Sequence, residues 1–177
     1  MSMSALVQLS RAIRSLDSQT NPYQTLETRV VDYQDSTGAQ AGHRLQVRLY
    51  NATGAATVDG QVCMVAYDGD EETNPSCIAA ATSSTIYRDF VVSDGVIAVT
   101  SWGWWTWCGY ANVLVDGTTD LTKDDYIQGV NAVTYAAEDG TTLTTDGIGI
   151  YCDADFTTNS TQAVKKCFLF GRSAFIG

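Results

Sequence analysis

From Thr28 onward, apolar and polar side chains alternate in short runs. Leu45, Val47 and Leu49 interleave with Arg44, Gln46 and Arg48, the period of two that gives a strand one buried and one wet face. Similar signals predict strands over 28–33, 61–67, 87–92, 96–101, 104–115, 131–136, 148–152 and 164–170. Between them fall six Asp-Gly dipeptides, at 59, 68, 94, 116, 139 and 146. Each is a hairpin or loop signal, because both residues tolerate the positive φ of tight turns. Threonine is abundant and proline occurs twice, which suits sheets. Many short strands with regular turns predict an all-β domain over 28–177, an antiparallel barrel or sandwich, with no βαβ units.

Before Thr28 the period changes. In residues 4–17, Leu6, Leu9, Ile13 and Leu16 form one stripe opposite Gln8, Arg11 and Arg14, with Ser4 placed to cap the start. This predicts a short amphipathic helix. About 14 residues are marginal alone, so the stripe must dock on something. It either packs on its own domain or acts as an arm on a neighbouring subunit. The polar run Ser18 to Thr25, with Asn21-Pro22, reads as a linker and favours the arm. Residues 1–27 are thus expected to be an arm and linker, with Leu6, Leu9, Arg11, Ile13, Arg14 and Leu16 as its partner-binding residues.

The segment from Val91 to Ile127 organises the rest. Two turns, Asp94-Gly95 and Asp116-Gly-Thr-Thr119, bracket Trp102, Trp104, Trp105 and Trp107, all four tryptophans of the chain. Such rings each bury roughly 150–250 Å² when packed. On a strand, Trp105 and Trp107 share one face and Trp102 and Trp104 the other. One face is expected to meet the domain core and the other a neighbouring subunit, since aromatics concentrate at interface centres. The rival reading is a platform for stacking sugars. Phe175, in the apolar ending Cys167 to Gly177, joins the four tryptophans as an expected oligomer-interface residue, because such side chains near a terminus need covering.

Charge narrows the partners. Lys and Arg total 10 against 20 acidic residues, a net charge of −10. Phosphate backbones would be repelled, so nucleic acid is not an expected partner. Residues 1–48 carry five Arg and four acids, leaving a strongly acidic body. No run approaches the ~20 apolar residues of a membrane span, and Gln8, Arg11 and Arg14 interrupt any secretion-signal core. No membrane is expected. Cys63, Cys77, Cys108, Cys152 and Cys167 show no metal-ligand spacing, and read as buried thiols of a protein assembled in a reducing cytoplasm. No cofactor or metal is implied. The acidic run Asp68 to Glu72 lacks the calcium-loop pattern and reads as a solvated loop. Asp124-Asp125 and Asp153/Asp155 are formally carboxylate pairs, but acids are too common here for the pairing to carry information. His43 is the single histidine, and no nucleophile elbow accompanies it; it reads as a surface residue.

Several segments resemble the capsid decoration (cement) proteins of tailed bacteriophages. They are Asn51-Ala-Thr-Gly54, Val58-Asp-Gly-Gln-Val62, Val92-Ser-Asp-Gly95, Trp102-Gly-Trp104, Gly109-Tyr110 and the run from Val113 to Leu121 (VLVDGTTDL). Asp124-Asp-Tyr-Ile127, Thr144-Thr-Asp-Gly-Ile-Gly149 and Val164 to Arg172 continue the pattern. The resemblance implies a non-enzymatic virion protein on the capsid surface, assembled in the host cytoplasm. It would bind the major capsid protein and itself, as a homo-oligomer expected to be a trimer. Two other classes stay open: a different virion component (a single jelly-roll shell subunit, a tail or fibre protein), or a carbohydrate-binding surface module.

Overall fold

The computed structural model describes residues 27–34, 39–66, 76–79, 89–130, 134–142, 147–157 and 161–171. Within them run ten strands: β1 (Thr28–Gln34), β2 (Gln40–Asn51), β3 (Val62–Ala66), β4 (Ser76–Ala79), β5 (Phe90–Ser93), β6 (Trp102–Val115), β7 (Tyr126–Gly129), β8 (Ala136–Gly140), β9 (Gly147–Tyr151) and β10 (Ala163–Phe170). No helix occurs among the described residues. The expected helix over 4–17 and its arm residues, Phe175 and the acidic run Asp68 to Glu72 lie outside them.

The strands pair in the order β1-β2-β4-β3-β5-β6-β10-β9-β7-β8, and β6 pairs additionally with β2 and β8. The sheet is therefore a closed β-barrel with extra strands. Its pairings trace two five-stranded circuits that share β6, and β1 is added outside on β2. All ladders are antiparallel except two short parallel contacts, Tyr50 and Asn51 of β2 with Ser76 and Cys77, and Val115 with Ala136. Sharing is possible because β6 is 14 residues long. Its first half pairs with β2 and β5, its second half with β10.

Two cores follow from this. Val47, Leu49, Cys63, Val65, Val91, Ile97 and Trp105 make one. The other holds Val62, Phe90, Val92, Ala111, Val113, Val115, Leu121, Ile127, Ile148, Tyr151, Phe156 and Leu169, among others. The β3–β5 wall stands between them: neighbours Val62 and Cys63, and Val91 and Val92, enter opposite cores. A strand buried on both faces has no wet side, which is why Phe90-Val-Val92 reads as an unbroken apolar run.

β6 changes sides partway along. Its register with β2 runs from Leu45↔Cys108 to Gln46↔Thr106, leaving Trp107 as the extra residue of a β-bulge. One inserted residue moves the alternate set to the other face. Trp105 accordingly enters one core while Ala111, Val113 and Val115, at the same parity, enter the other. Gly109 sits beside the bulge at φ +96°, where a Cβ would lie 2.4 Å from the His43 carbonyl oxygen.

The turn chemistry agrees with three of the Asp-Gly signals, since Gly60, Gly95 and Gly140 have positive φ, whereas Gly117 does not. The strand expected over 96–101 is instead part of an eight-residue connection, 94–101. Asn51 is the cause: its side-chain amide donates to the carbonyls of Ala55, Ile97 and Ala98 at 2.9–3.2 Å. Thr57 adds an Oγ1 acceptor for Ile97 N–H at 2.7 Å. These bonds occupy the groups a ladder would use. Of the strand expected over 131–136, residues 131–133 lie outside the described residues and β8 starts at Ala136; β4 and β7, four residues each, had no periodic signal.

Candidate interaction face

β2 turns Leu45, Val47 and Leu49 inward and Arg44, Gln46, Arg48 and Tyr50 outward, against β1 on one side and β6 on the other. Arg29, Gln46, Asp94 and Arg44 form one connected network. Arg29 Nε donates to Gln46 Oε1 at 2.8 Å, Gln46 Nε2 donates to Asp94 Oδ2 at 2.7 Å, and Arg44 pairs with Asp94 at 3.0 Å. Arg48 pairs with Glu27 at 2.8 Å. Gln46 is fully buried beneath these charges, its amide satisfied from both ends, as a buried polar group requires.

The tryptophans divide across this wall. Trp105 is buried in the chain's own core, its Nε1 donating to Leu49 O at 3.3 Å. Trp107, on the bulge, is half-buried against Leu45 and Cys108, and its buried Nε1 has no acceptor among the described residues. Trp104 lies on the outer face with the Arg29 guanidinium 3.9 Å above its ring, a stack of about 0.5–1 kcal/mol at an exposed site. Trp102 is 43% exposed, edge-on to Tyr50 at 5.8 Å, with Arg48 at 5.9 Å. Ring surface on the outer face therefore comes from Trp102 and Trp104, and Trp107 is also partly exposed. Trp105 has no exposed atoms to offer, and a sugar stacking on Trp104 would have to displace Arg29.

The face continues onto the loops 52–61 and 94–101. Val58, Val96 and Val99 are exposed there, Val96 at 74%. The loops that carry them are fastened together, Thr57 N–H to Ile97 O at 3.0 Å and Gly95 N–H to Asp59 Oδ1 at 3.0 Å. Exposed valines on a hydrogen-bonded frame, on the loops that follow β2 and precede β6, give this end of the face an apolar surface of the kind that protein interfaces bury. Sequence reasoning singled out the tryptophans but missed Arg29, Arg44, Arg48 and Tyr50. The alternation along β2 was the signal that places three of them outward.

The remaining candidates have structural roles. His43 Nδ1 lies 2.8 Å from Asp32 Oδ1 across the β1–β2 ladder. Asp125 is buried and accepts Thr122 N–H at 2.6 Å, while Asp155 accepts Lys123 N–H at 3.2 Å and Asp153 accepts Ala154 N–H at 2.9 Å. Cys63, Cys108, Cys152 and Cys167 are free thiols. Burial pushes Cys108 up to about 11 and Cys167 well above the usual range, which keeps both neutral and unreactive. No group of three or more described His, Cys, Asp or Glu residues is arranged to hold a metal ion. Comparison with known proteins found nothing similar: no family model, curated protein or solved structure matches the chain.

Proposed function

We propose that this protein is a non-catalytic adhesion component of a virion, a capsid decoration protein. It binds the major capsid protein lattice and its own copies at the capsid surface, as a homo-oligomer, expected to be a trimer. The observation that carries this reading is the outward β1–β2–β6 face, where Trp102, Trp104 and Tyr50 sit among Arg29, Arg44 and Arg48 beside an exposed valine tip. The resemblance of residues 50–172 to decoration proteins supports it independently. On this reading the N-terminal leucine stripe, with Arg11 and Arg14, anchors the domain to the shell. Burial of apolar surface supplies roughly 25 cal/mol per Å² before association costs, and symmetry repeats each contact around the lattice.

Electron microscopy of purified protein mixed with empty capsid shells tests the proposal. Density at regular lattice positions is expected, and loss of that density on deleting residues 1–20 tests the arm separately. A monomer in solution that decorates no shell would refute it. Trp102 favours a second reading, carbohydrate binding, because its ring is open to solvent. A glycan array giving saturable binding that Trp102→Ala abolishes, with no shell binding, would select that reading.

A further inference from the structure

A groove of about 630 Å³ opens beside β1, β6 and β10, lined by Tyr33, Asn112, Lys123, Cys152, Asp153 and Lys166 among others. Its volume lies in the range of small-ligand sites. Two of the chain's three lysines converge on it, although the protein carries a net charge of −10. Neither forms an ion pair with a described residue. Burial pushes the Cys152 thiol up; the Lys166 ammonium pulls it down, Asp124 adds to the rise and Lys123 pulls down more weakly, so both cations and one carboxylate act on the same wall of the groove.

The donors are held in place. Lys166 Nζ sits 5.1 Å from the Tyr110 ring centroid and 5.9 Å from that of Tyr33. Tyr33 OH donates to Asn112 Oδ1 at 2.8 Å, which leaves the Asn112 amide N–H groups as donors. Of the nearby carboxylates, Asp153 accepts the N–H of its neighbour Ala154, and Asp155 accepts the backbone N–H of Lys123 from the facing loop. Three hydrogen-bond donors, two of them cationic and without a carboxylate partner, form an anion-binding set. Remote carboxylates weigh little against them, since at 0.15 M salt the Debye length is about 8 Å.

We propose that this groove binds an oxyanion, the carboxylate or phosphate of a small hydroxylated molecule such as a sugar acid or sugar phosphate. Lys166 and Lys123 hold the charge, Asn112 donates to it, and Asp153 accepts from hydroxyl groups. The site borders the adhesion face at Tyr33, whose ring also has the Arg44 guanidinium 5.9 Å away, but its chemistry does not depend on that reading.

The test is NMR titration of the ¹⁵N-labelled full chain in 0.15 M NaCl with inorganic phosphate, galacturonate and neutral galactose. Saturable shifts of the Asn112, Cys152 and Ala154 amides are expected with phosphate or galacturonate, and none with galactose. Lys166→Gln should weaken binding about five-fold or more. Lys165→Gln removes the same charge from the same strand, at a side chain packed over Phe156 at 4.8 Å, and should leave binding unchanged. Should Lys166→Gln fail to fold, judged by thermal melting, Lys123→Gln replaces it. Three outcomes overturn the proposal: no saturable shift, an equal response to galactose, or equal weakening by Lys165→Gln and Lys166→Gln, which would mean an adventitious ion only.

Discussion

Trp105→Ala separates the buried tryptophan from its outward neighbours. Trp105 has no exposed surface and packs among Val47, Leu49, Cys63, Val65, Val91 and Ile97. Removing most of a buried indole withdraws roughly 200 Å² of apolar contact, about 5 kcal/mol at 25 cal/mol per Å². A compact denatured state trims that figure by about 10–40%, and the cavity left between two β-strands restores part of it, so a loss of about 3–5 kcal/mol is expected. The hydrogen bond to Leu49 O is long at 3.3 Å and adds little. For a chain of this size, each kcal/mol moves Tm by about 2–4 °C, so Tm should fall by about 6–20 °C. Urea denaturation at low protein concentration, followed by circular dichroism, measures the loss at constant m-value. Trp102→Ala, at a partly exposed ring, should cost less than about 1 kcal/mol in the same assay. A loss below about 1 kcal/mol for Trp105→Ala, or equal losses for the two variants, would refute the division of the cluster into core and surface.

Gly109→Ala forces a Cβ to 2.4 Å from His43 O at positive φ; a loss above about 2 kcal/mol is expected by urea denaturation, and a neutral result would dismiss the strained approach at the bulge. Cys108 is raised to about 11 by burial against an ordinary 9.0. Its contribution is complete below pH 9 and is lost as pH rises toward 11, by up to about 3 kcal/mol. Stability measured across that window should fall less steeply in Cys108→Ala than in the parent. Iodoacetamide at pH 8 should label Cys152 before Cys63, Cys108 or Cys167, because Cys152 is partly exposed and those three are buried; peptide mapping reads the order. Arg29→Ala uncovers the Trp104 ring, so acrylamide quenching of fluorescence should rise while stability changes by about 1 kcal/mol or less.

Turn chemistry and period-two alternation are local properties, and they were legible in the chain by itself. Asp-Gly pairs can adopt positive φ without a neighbour to permit it, as Gly60, Gly95 and Gly140 do, and Leu45-Gln-Val-Arg-Leu49 declares its wet side without reference to a partner. The all-β class, the central place of β6 and the placing of Trp102 and Trp104 on the face opposite Trp105 followed from such signals; which of the two faces is core did not. Which residue becomes a bulge did not, because Trp107 is extra only relative to the β2 strand opposite it. The two circuits closing on β6, the double burial of Phe90 to Val92 and the loss of a strand at 96–101 to the Asn51 amide likewise depend on pairings between distant segments. The lysine groove belongs to the same kind: Tyr33, Asn112, Lys123, Cys152 and Lys166 come from separate elements, and each is an ordinary residue in its own stretch. Local sequence set the period and the turns; register, which exists only between strands, decided which faces are core and which groups meet.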